Sequence, residues 1–286
     1  MIDPRSLQAG FNAGSRDQWD GFAGHRRAVS ALLGAGAAPG PSRLCVLGAG
    51  NGNDLDLPAL LAAHREVHLV DLDPVALAHS VGRQGVADRP GLRLFGGLDV
   101  TGILDAMAGW TPASTIRPDD LGAALDWPMS RAGLALPGPY DRVASTCLLS
   151  QVVGNAARSV GQAHPRFPDL VRAIRSGHLR LMARLAAPGA LAVLITDVVS
   201  SDTLPALRSA PDPALPGILD RASLGRDCIH GVNPTDLRAA FRRDPVLAPN
   251  TEGLESLPPW RWDLHDRVYL VFAIRWRTRR DRTGMI

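Results

Sequence analysis

Residues 44–54, Leu-Cys-Val-Leu-Gly-Ala-Gly-Asn-Gly-Asn-Asp, and residues 67–73, Val-His-Leu-Val-Asp-Leu-Asp, decide how this chain is read. The first apolar run, Leu44 to Leu47, is short, continuous and closed by turn residues, as a strand buried on both faces should be. Gly48, Gly50 and Gly52 follow at once, and glycines there let the backbone turn tightly and approach a ligand. The second run, Val67 to Val70, ends in Asp71. That acid stands about 20 residues past the glycines, where a dinucleotide fold places the carboxylate that binds ribose hydroxyls. Both strand ends are expected to face one crevice, and the crevice reads as a nucleoside site.

The glycine spacing narrows the nucleoside. A nicotinamide or flavin fingerprint, Gly-x-Gly-x-x-Gly, needs its third glycine where this chain has Asn53, so that reading fails. What stands, Gly48-Ala49-Gly50-Asn51-Gly52, resembles motif I of the class I S-adenosylmethionine-dependent methyltransferases. Gly91 to Val100 is similar to the third strand of that family, Tyr140 to Ser145 to the fourth, and Leu185 to Val199 to the turn and fifth strand. The resemblance spans roughly Arg43 to Val199, with a final strand at Arg267 to Trp276.

The resemblance implies a doubly wound α/β fold, a mostly parallel seven-stranded sheet with helices on both faces. It implies S-adenosylmethionine as cofactor, held by Gly48, Ala49, Gly50, Asn53, Asp71, Leu72, Asp99, Val100 and Thr146, with Asp99 as the strand-terminal acid that meets the adenine amino group. One position departs from the pattern. Val46 stands where the family commonly carries an acid for the methionine end, leaving Asn51, Asn53 or Asp54, at the start of the next helix, for that polar work. A non-catalytic protein that binds S-adenosylmethionine or S-adenosylhomocysteine is the alternative reading.

Composition bounds the rest. The 286 residues, 45% hydrophobic, suffice for one large domain: a helical extension at 1–40, then 41–286 with insertions at 101–139 and 200–257. No apolar run approaches the ~20 residues of a membrane span, and Met-Ile-Asp-Pro-Arg-Ser lacks the apolar core of a signal peptide, so a cytoplasmic protein is expected. Cys45, Cys147 and Cys228 fit neither a disulfide framework nor a zinc site, and no metal is expected. The net charge of +3 owes much to Arg275, Arg277, Arg279, Arg280 and Arg282, and all 31 basic side chains are arginine, a bias that carries no function.

Along the chain, Trp19, Phe22, Val29 and Leu33 recur at near-helical spacing until Gly34 to Pro41 breaks the run. His25, Arg26 and Arg27 on this extension are either substrate contacts, as the family implies, or a solvated polar face. Leu55 to His64 and Pro74 to Val81 are expected crossover helices, Asp54 near the first and Asp73 capping the second. The 101–139 insertion is expected to hold a helix and an irregular stretch, with Trp110 and Trp127 packed on the core or on an apolar substrate.

After the fourth strand, Thr146 and Cys147 stand by position beside the methionyl end, and Ser150 or Gln151 by the acceptor. The other reading is a helix start capped by Ser145 or Thr146. Pro168 to Ala187 reads as an amphipathic helix with His178 at the core edge. The segment Gly225-Arg226-Asp227-Cys228-Ile229-His230-Gly231-Val232-Asn233-Pro234 crowds polar groups before a helix at Pro234 to Arg243, so it is a capped turn or a substrate loop, with His230 and Asn233 assigned to substrate. Histidine titrates near neutrality, which makes His230 and His25 the base candidates, His230 first. His25, Gln151, His230 and Asn233 together form the expected acceptor site. The proline- and tryptophan-bearing insertions point to a small-molecule acceptor rather than RNA or protein, methylated on oxygen or nitrogen.

Overall fold

The computed structural model describes residues 3–35, 42–225 and 227–281. Met1 and Ile2, the 36–41 part of the expected break, Arg226 of the polar loop and Arg282 of the tail lie outside the described residues.

Two helices, α1 (Pro4–Ser15) and α2 (Ala23–Gly34), precede β1 (Arg43–Leu47). Then come α3 (Leu57–Ala63), β2 (Glu66–Asp71), α4 (Pro74–Arg83) and β3 (Leu92–Gly96). The first insertion carries α5 (Leu104–Ala108), α6 (Pro118–Trp127) and the single turn α7 (Gly133–Ala135). After it run β4 (Tyr140–Thr146), α8 (Leu148–Val160), α9 (Phe167–Leu185) and β5 (Ala186–Ser200). The second insertion holds α10 (Leu215–Gly225), α11 (Pro234–Arg243) and α12 (Leu247–Asn250), and leads into β6 (Thr251–Ser256), β7 (Trp260–Asp263) and β8 (Val268–Thr278).

The strands form one sheet in the order β3-β2-β1-β4-β5-β8-β6, with β7 also on β8. β1 to β5 are parallel, and β8 runs antiparallel to β5. The chain winds one way from β1 to β3 and the other way from β4, so the order reverses at the β1/β4 pair, where Leu47 pairs with Ser145. A doubly wound sheet binds ligands at that reversal. There are eight strands rather than seven because the edge beside β8 is cut in two: Pro258 and Pro259 lack the amide N–H that a ladder needs, so β6 stops and β7 begins beyond them.

Alternation along each strand divides the core between two layers. Cys45, Leu47, Val143, Leu194 and Phe272 face the layer of α5 to α11, while Leu44, Val46, Ala144, Val193 and Ala273 face α2, α3 and α4. Apolar side chains on both faces explain why these strands read as continuous apolar runs.

Local differences from expectation have local causes. The extension is two helices, because Trp19 and Phe22 sit in the turn between α1 and α2, where Arg26 donates to the Trp19 carbonyl at 3.0 Å. β3 ends at Gly96, short of Asp99, and Gly97 then takes a left-handed φ of 76°. α3 is capped by Asp56, whose carboxylate accepts from the Ala59 amide at 3.0 Å, which leaves Asn51, Asn53 and Asp54 in the preceding loop. Asp73 caps α4 through the Val75 and Ala76 amides. The first insertion is more helical than expected, since Pro118 opens α6 and Asp120 closes a capping box on Arg117. Neither Ser145 nor Thr146 caps α8; Cys147 takes that position at φ 50°. Among the described residues no helix is long and apolar enough to cross a membrane.

Candidate functional site

The glycine loop leaves β1 at the sheet reversal. Gly48 and Ala49 donate their amides to the Val70 carbonyl at 2.9 and 3.2 Å, which draws the loop toward the end of β2. Gly48 has φ 78°, and a Cβ there would stand 2.7 Å from Cβ of Leu148, so only glycine lets α8 start this close. Gly52, at φ 62°, is equally confined by Ser80 of α4, 2.8 Å from its would-be Cβ. Across the crevice, the Thr146 hydroxyl donates to the Gly48 carbonyl at 3.1 Å.

Two cavities meet at Gly48. On the β2/β3 side a narrow slot of about 20 Å³ is lined by Asp71, Leu72, Asp99 and Val100, with Gln8 of α1 across its mouth. On the β4/β5 side a cavity of about 760 Å³ runs along Ala49, Gly50, Asn53, Asp54, Thr146 and Cys147 to an aromatic wall. In that wall Trp262 packs against Phe22 (ring centroids 4.7 Å apart) and Tyr269 (5.1 Å), while Phe167 and His230 lie 5.5 Å apart on the opposite side.

Helix α1 lies over both openings and is strapped down by polar groups. The Arg5 guanidinium holds Asp105 at 2.7 Å, Gln8 donates to Gln151, and Asn12 donates to Asp73 and Asp71 at 3.3 and 3.5 Å. From below, Asn51 donates to the Asn12 carbonyl at 2.5 Å and Asn53 to the Ser15 carbonyl at 2.6 Å. Pro4 and Gln8 are its only buried residues. Hydrogen bonds rather than apolar burial therefore hold α1 in place.

Three buried carboxylates face this region. Asp71 accepts from the Gly50 amide at 2.8 Å and the Asp73 amide at 2.9 Å, and burial raises it above the usual carboxylate range. Asp197, at the end of β5, accepts from the Ser150 hydroxyl and is likewise raised by burial. Asp54 is 9% exposed, lines the large cavity, and is pushed up to about 7 by burial. No arginine lies within ion-pair distance of Asp54 or Asp197 among the described residues. A buried acid without a counter-charge suits a cationic ligand group.

The expected cofactor residues come together, in two groups on either side of Gly48. Asp99 lines the slot, and its carboxylate also accepts from the Thr101 amide and hydroxyl (2.8 and 2.7 Å) and the Leu104 amide (3.3 Å). Of the three residues named to replace the acid at 46, Asn51 and Asn53 spend their amide N–H groups on α1, while Asp54 presents its carboxylate to the cavity. Val46 is fully buried among Val29, Leu33, Leu55 and Leu57.

The acceptor residues divide. Gln151 and His230 line the large cavity. Asn233 does not: it caps α11, accepting from the Asp236 amide at 2.9 Å and donating to its carboxylate. His25 lines the cavity but is 1% exposed, stacks on Trp262 at 4.5 Å, and accepts from the Trp260 indole at 3.1 Å. Burial lowers it to about 3, which removes it as a base at neutral pH.

Arg26 straps the loop instead of reaching a ligand, donating to the Asn53 carbonyl at 2.8 Å, and Arg27 is exposed outside both cavities. His178 is a deep core residue rather than an edge one, bonded to the Ser145 hydroxyl at 2.8 Å and lowered to about 4. Cys147 is buried and its thiol raised well above its usual value, first by burial, so it is no nucleophile. Trp110 and Trp127 stand away from both cavities, Trp127 against Gly102.

The reading from sequence missed Asp197, Trp262, Tyr269 and the straps from Gln8 and Asn12. Asp197 carried a visible signal, an acid inside an apolar strand run. The others did not, since α1 has no apolar stripe and the β7–β8 hairpin places its aromatics only through tertiary pairing.

No family model and no curated protein sequence matches the chain. Among solved structures, the chain is similar to magnesium protoporphyrin IX methyltransferase from Synechocystis PCC 6803 with bound S-adenosylmethionine: TM-score 0.50, 14% identity, 98% of each chain covered. The same protein with bound S-adenosylhomocysteine gives a TM-score of 0.50 at 13% identity, over 97% of this chain and 100% of that one. With the strand order and the antiparallel β8, these likenesses establish the class I S-adenosylmethionine-dependent methyltransferase fold.

Proposed function

We propose that this chain, built on the class I methyltransferase fold, transfers a methyl group from S-adenosylmethionine to a small molecule through oxygen or nitrogen. The observation that carries this reading is the pair of cavities joined at Gly48, one ending in Asp71 and Asp99, the other holding Asp54, which has no ion-pair partner among the described residues. The residues fit the cofactor. Asp71 and Asp99 would take the ribose and adenine, and Asp54 would face the ammonium of the methionyl end, the work that Val46, turned into the core, cannot do.

When bound, the cofactor supplies an electrophilic methyl group on a sulfonium. The protein's part is to hold the acceptor in line with it, and orientation of this kind is worth on the order of 7 to 11 kcal/mol. The aromatic wall of Phe22, Phe167, Trp262 and Tyr269 excludes water and gives a small apolar acceptor a surface to lie on. His230, exposed at the cavity beside Phe167, is assigned to orient the acceptor or take its proton. Gln151 is the polar contact on the opposite helix, α8.

Calorimetry with S-adenosylmethionine and S-adenosylhomocysteine, followed by uptake of isotope-labelled methyl into small-molecule extracts, tests this reading. Binding with transfer supports it. Binding without transfer to any extract leaves a cofactor-binding protein, and no binding of either ligand rejects both. A His230→Ala variant with unchanged turnover would remove that residue from the mechanism.

A further inference from the structure

A third concavity, of about 520 Å³, is lined by helices and lies away from the glycine loop. Its floor is the α9 stripe of Asp169, Ala173, Ser176 and Arg180, flanked by Arg172 and Arg175. Its walls are Leu121, Gly122 and Leu125 of α6 and Ala239, Ala240 and Arg243 of α11. Small residues at the seam keep the groove open, and the two leucines give it an apolar side.

Its charge is unbalanced. Five arginines line it (166, 172, 175, 180 and 243) against two aspartates, 169 and 244. Asp169 is shared by Arg166 and Arg172, at 2.9 Å each, and Arg180 is held by Asp244 at 3.0 Å and by Asp126, beside the groove, at 3.7 Å. Arg243, exposed in the last turn of α11, and Arg175 make no ion pair among the described residues. Arg175 is 9% exposed; one terminal nitrogen donates to the Gly231 carbonyl at 2.9 Å, and its Nε has no hydrogen-bond partner. Arg180 is equally buried, so this is not a solvated charged face. A guanidinium that is nine-tenths buried with no carboxylate at ion-pair distance is costly, even with Asp236 in its wider field, and a ligand oxyanion offsets that cost.

We propose that this groove binds a phosphate monoester with a small apolar body. Two guanidiniums with no ion pair match a dianion better than a single carboxylate, and guanidinium favours phosphate through paired N–H groups. Leu121, Leu125, Ala173 and Ala240 receive the apolar part. The site touches the large cavity through one contact: Arg175 anchors the carbonyl of Gly231, next to Ile229 and His230 of the cavity lining. The proposal does not depend on methyl transfer.

The test is calorimetry of the full chain with butyl phosphate and inorganic phosphate, using Arg243→Gln and, on the same wall, Ala239→Glu. Arg175 is left intact because it holds the Gly231 loop. Butyl phosphate should bind once per chain and more tightly than inorganic phosphate, and weaken with added salt. Arg243→Gln should weaken it about tenfold or more, and Ala239→Glu should abolish it, at unchanged melting temperature. Absence of butyl phosphate binding, or binding that neither substitution alters, overturns the proposal.

Discussion

The backbone N–H of Gly50 donates to the Asp71 carboxylate at 2.8 Å, so the loop after β1 and the acid that ends β2 are fastened as one unit. The other oxygen of Asp71 takes the Asp73 amide at 2.9 Å, which ties the unit to the start of α4. A ligand that reaches Asp71 therefore meets a carboxylate whose position is already set.

Asp71→Ala should lower affinity for S-adenosylhomocysteine about ten- to a hundredfold, the weight of one or two charge-assisted hydrogen bonds. The melting temperature should fall too, because the Gly50 and Asp73 amides lose their acceptor. Calorimetry on the folded variant measures the first effect; unchanged affinity would take Asp71 out of the cofactor site.

Asp54→Asn should separate stability from binding. The folded protein keeps the Asp54 proton up to about pH 7, whereas an ordinary aspartic acid loses it near 3.8, so the folded state binds more protons across that window and loses stability as pH rises through it. The asparagine variant escapes this loss, so its melting temperature relative to the parent should rise from pH 5 to pH 8, while cofactor affinity drops. His25 and His178, lowered to about 3 and about 4, act in the opposite sense: their contribution is lost as pH falls below 6.5. The difference between variant and parent cancels those histidines and isolates Asp54.

A chain that begins at Arg16 should fold normally and release S-adenosylhomocysteine faster. Only Pro4 and Gln8 of α1 are buried, so the apolar core hardly notices its removal, yet Gln8 and Asn12 stand over the slot and Asp71. Stopped-flow release and thermal melting check the two halves. Unchanged release would show that α1 does not cover the ligand.

Val46→Asp, which places here the acid common at this position in the methyltransferases the chain resembles, should harm the protein. Position 46 is fully buried among aliphatic side chains, and an uncompensated charge there costs about 3–5 kcal/mol. Thermal melting checks it; a stable variant with tighter cofactor binding would mean that the loop can turn this side chain toward the crevice.

The strands with two buried faces were legible from sequence because their apolar runs have no alternative use. β1 and β2 lie within a residue of where those runs placed them, and β4 and β8 within two residues of where the resemblance to the methyltransferases placed them. The third strand, placed by the resemblance at Gly91 to Val100, read too long, since the resemblance does not register the left-handed turn at Gly97. The extension was expected to be helical, but how α1 is held was illegible for a different reason: its partners are Asp71, Asp73, Asp105 and Gln151, all distant in sequence, and the bonds are polar. Asn233 was misassigned because a helix cap and a ligand contact use the same side-chain oxygen, and only the Asp236 amide at 2.9 Å decides between them.

The break at Pro258 and Pro259 also governs what the sheet can do to its neighbours. β8 is covered on one side by β6 and β7 in succession, and between them the outer rim has no N–H to offer. A strand from another molecule approaching that rim meets a ladder interrupted at mid-length, so growth of the sheet by edge addition stops there. The two prolines thus blunt this edge of the sheet, while β3 forms the other.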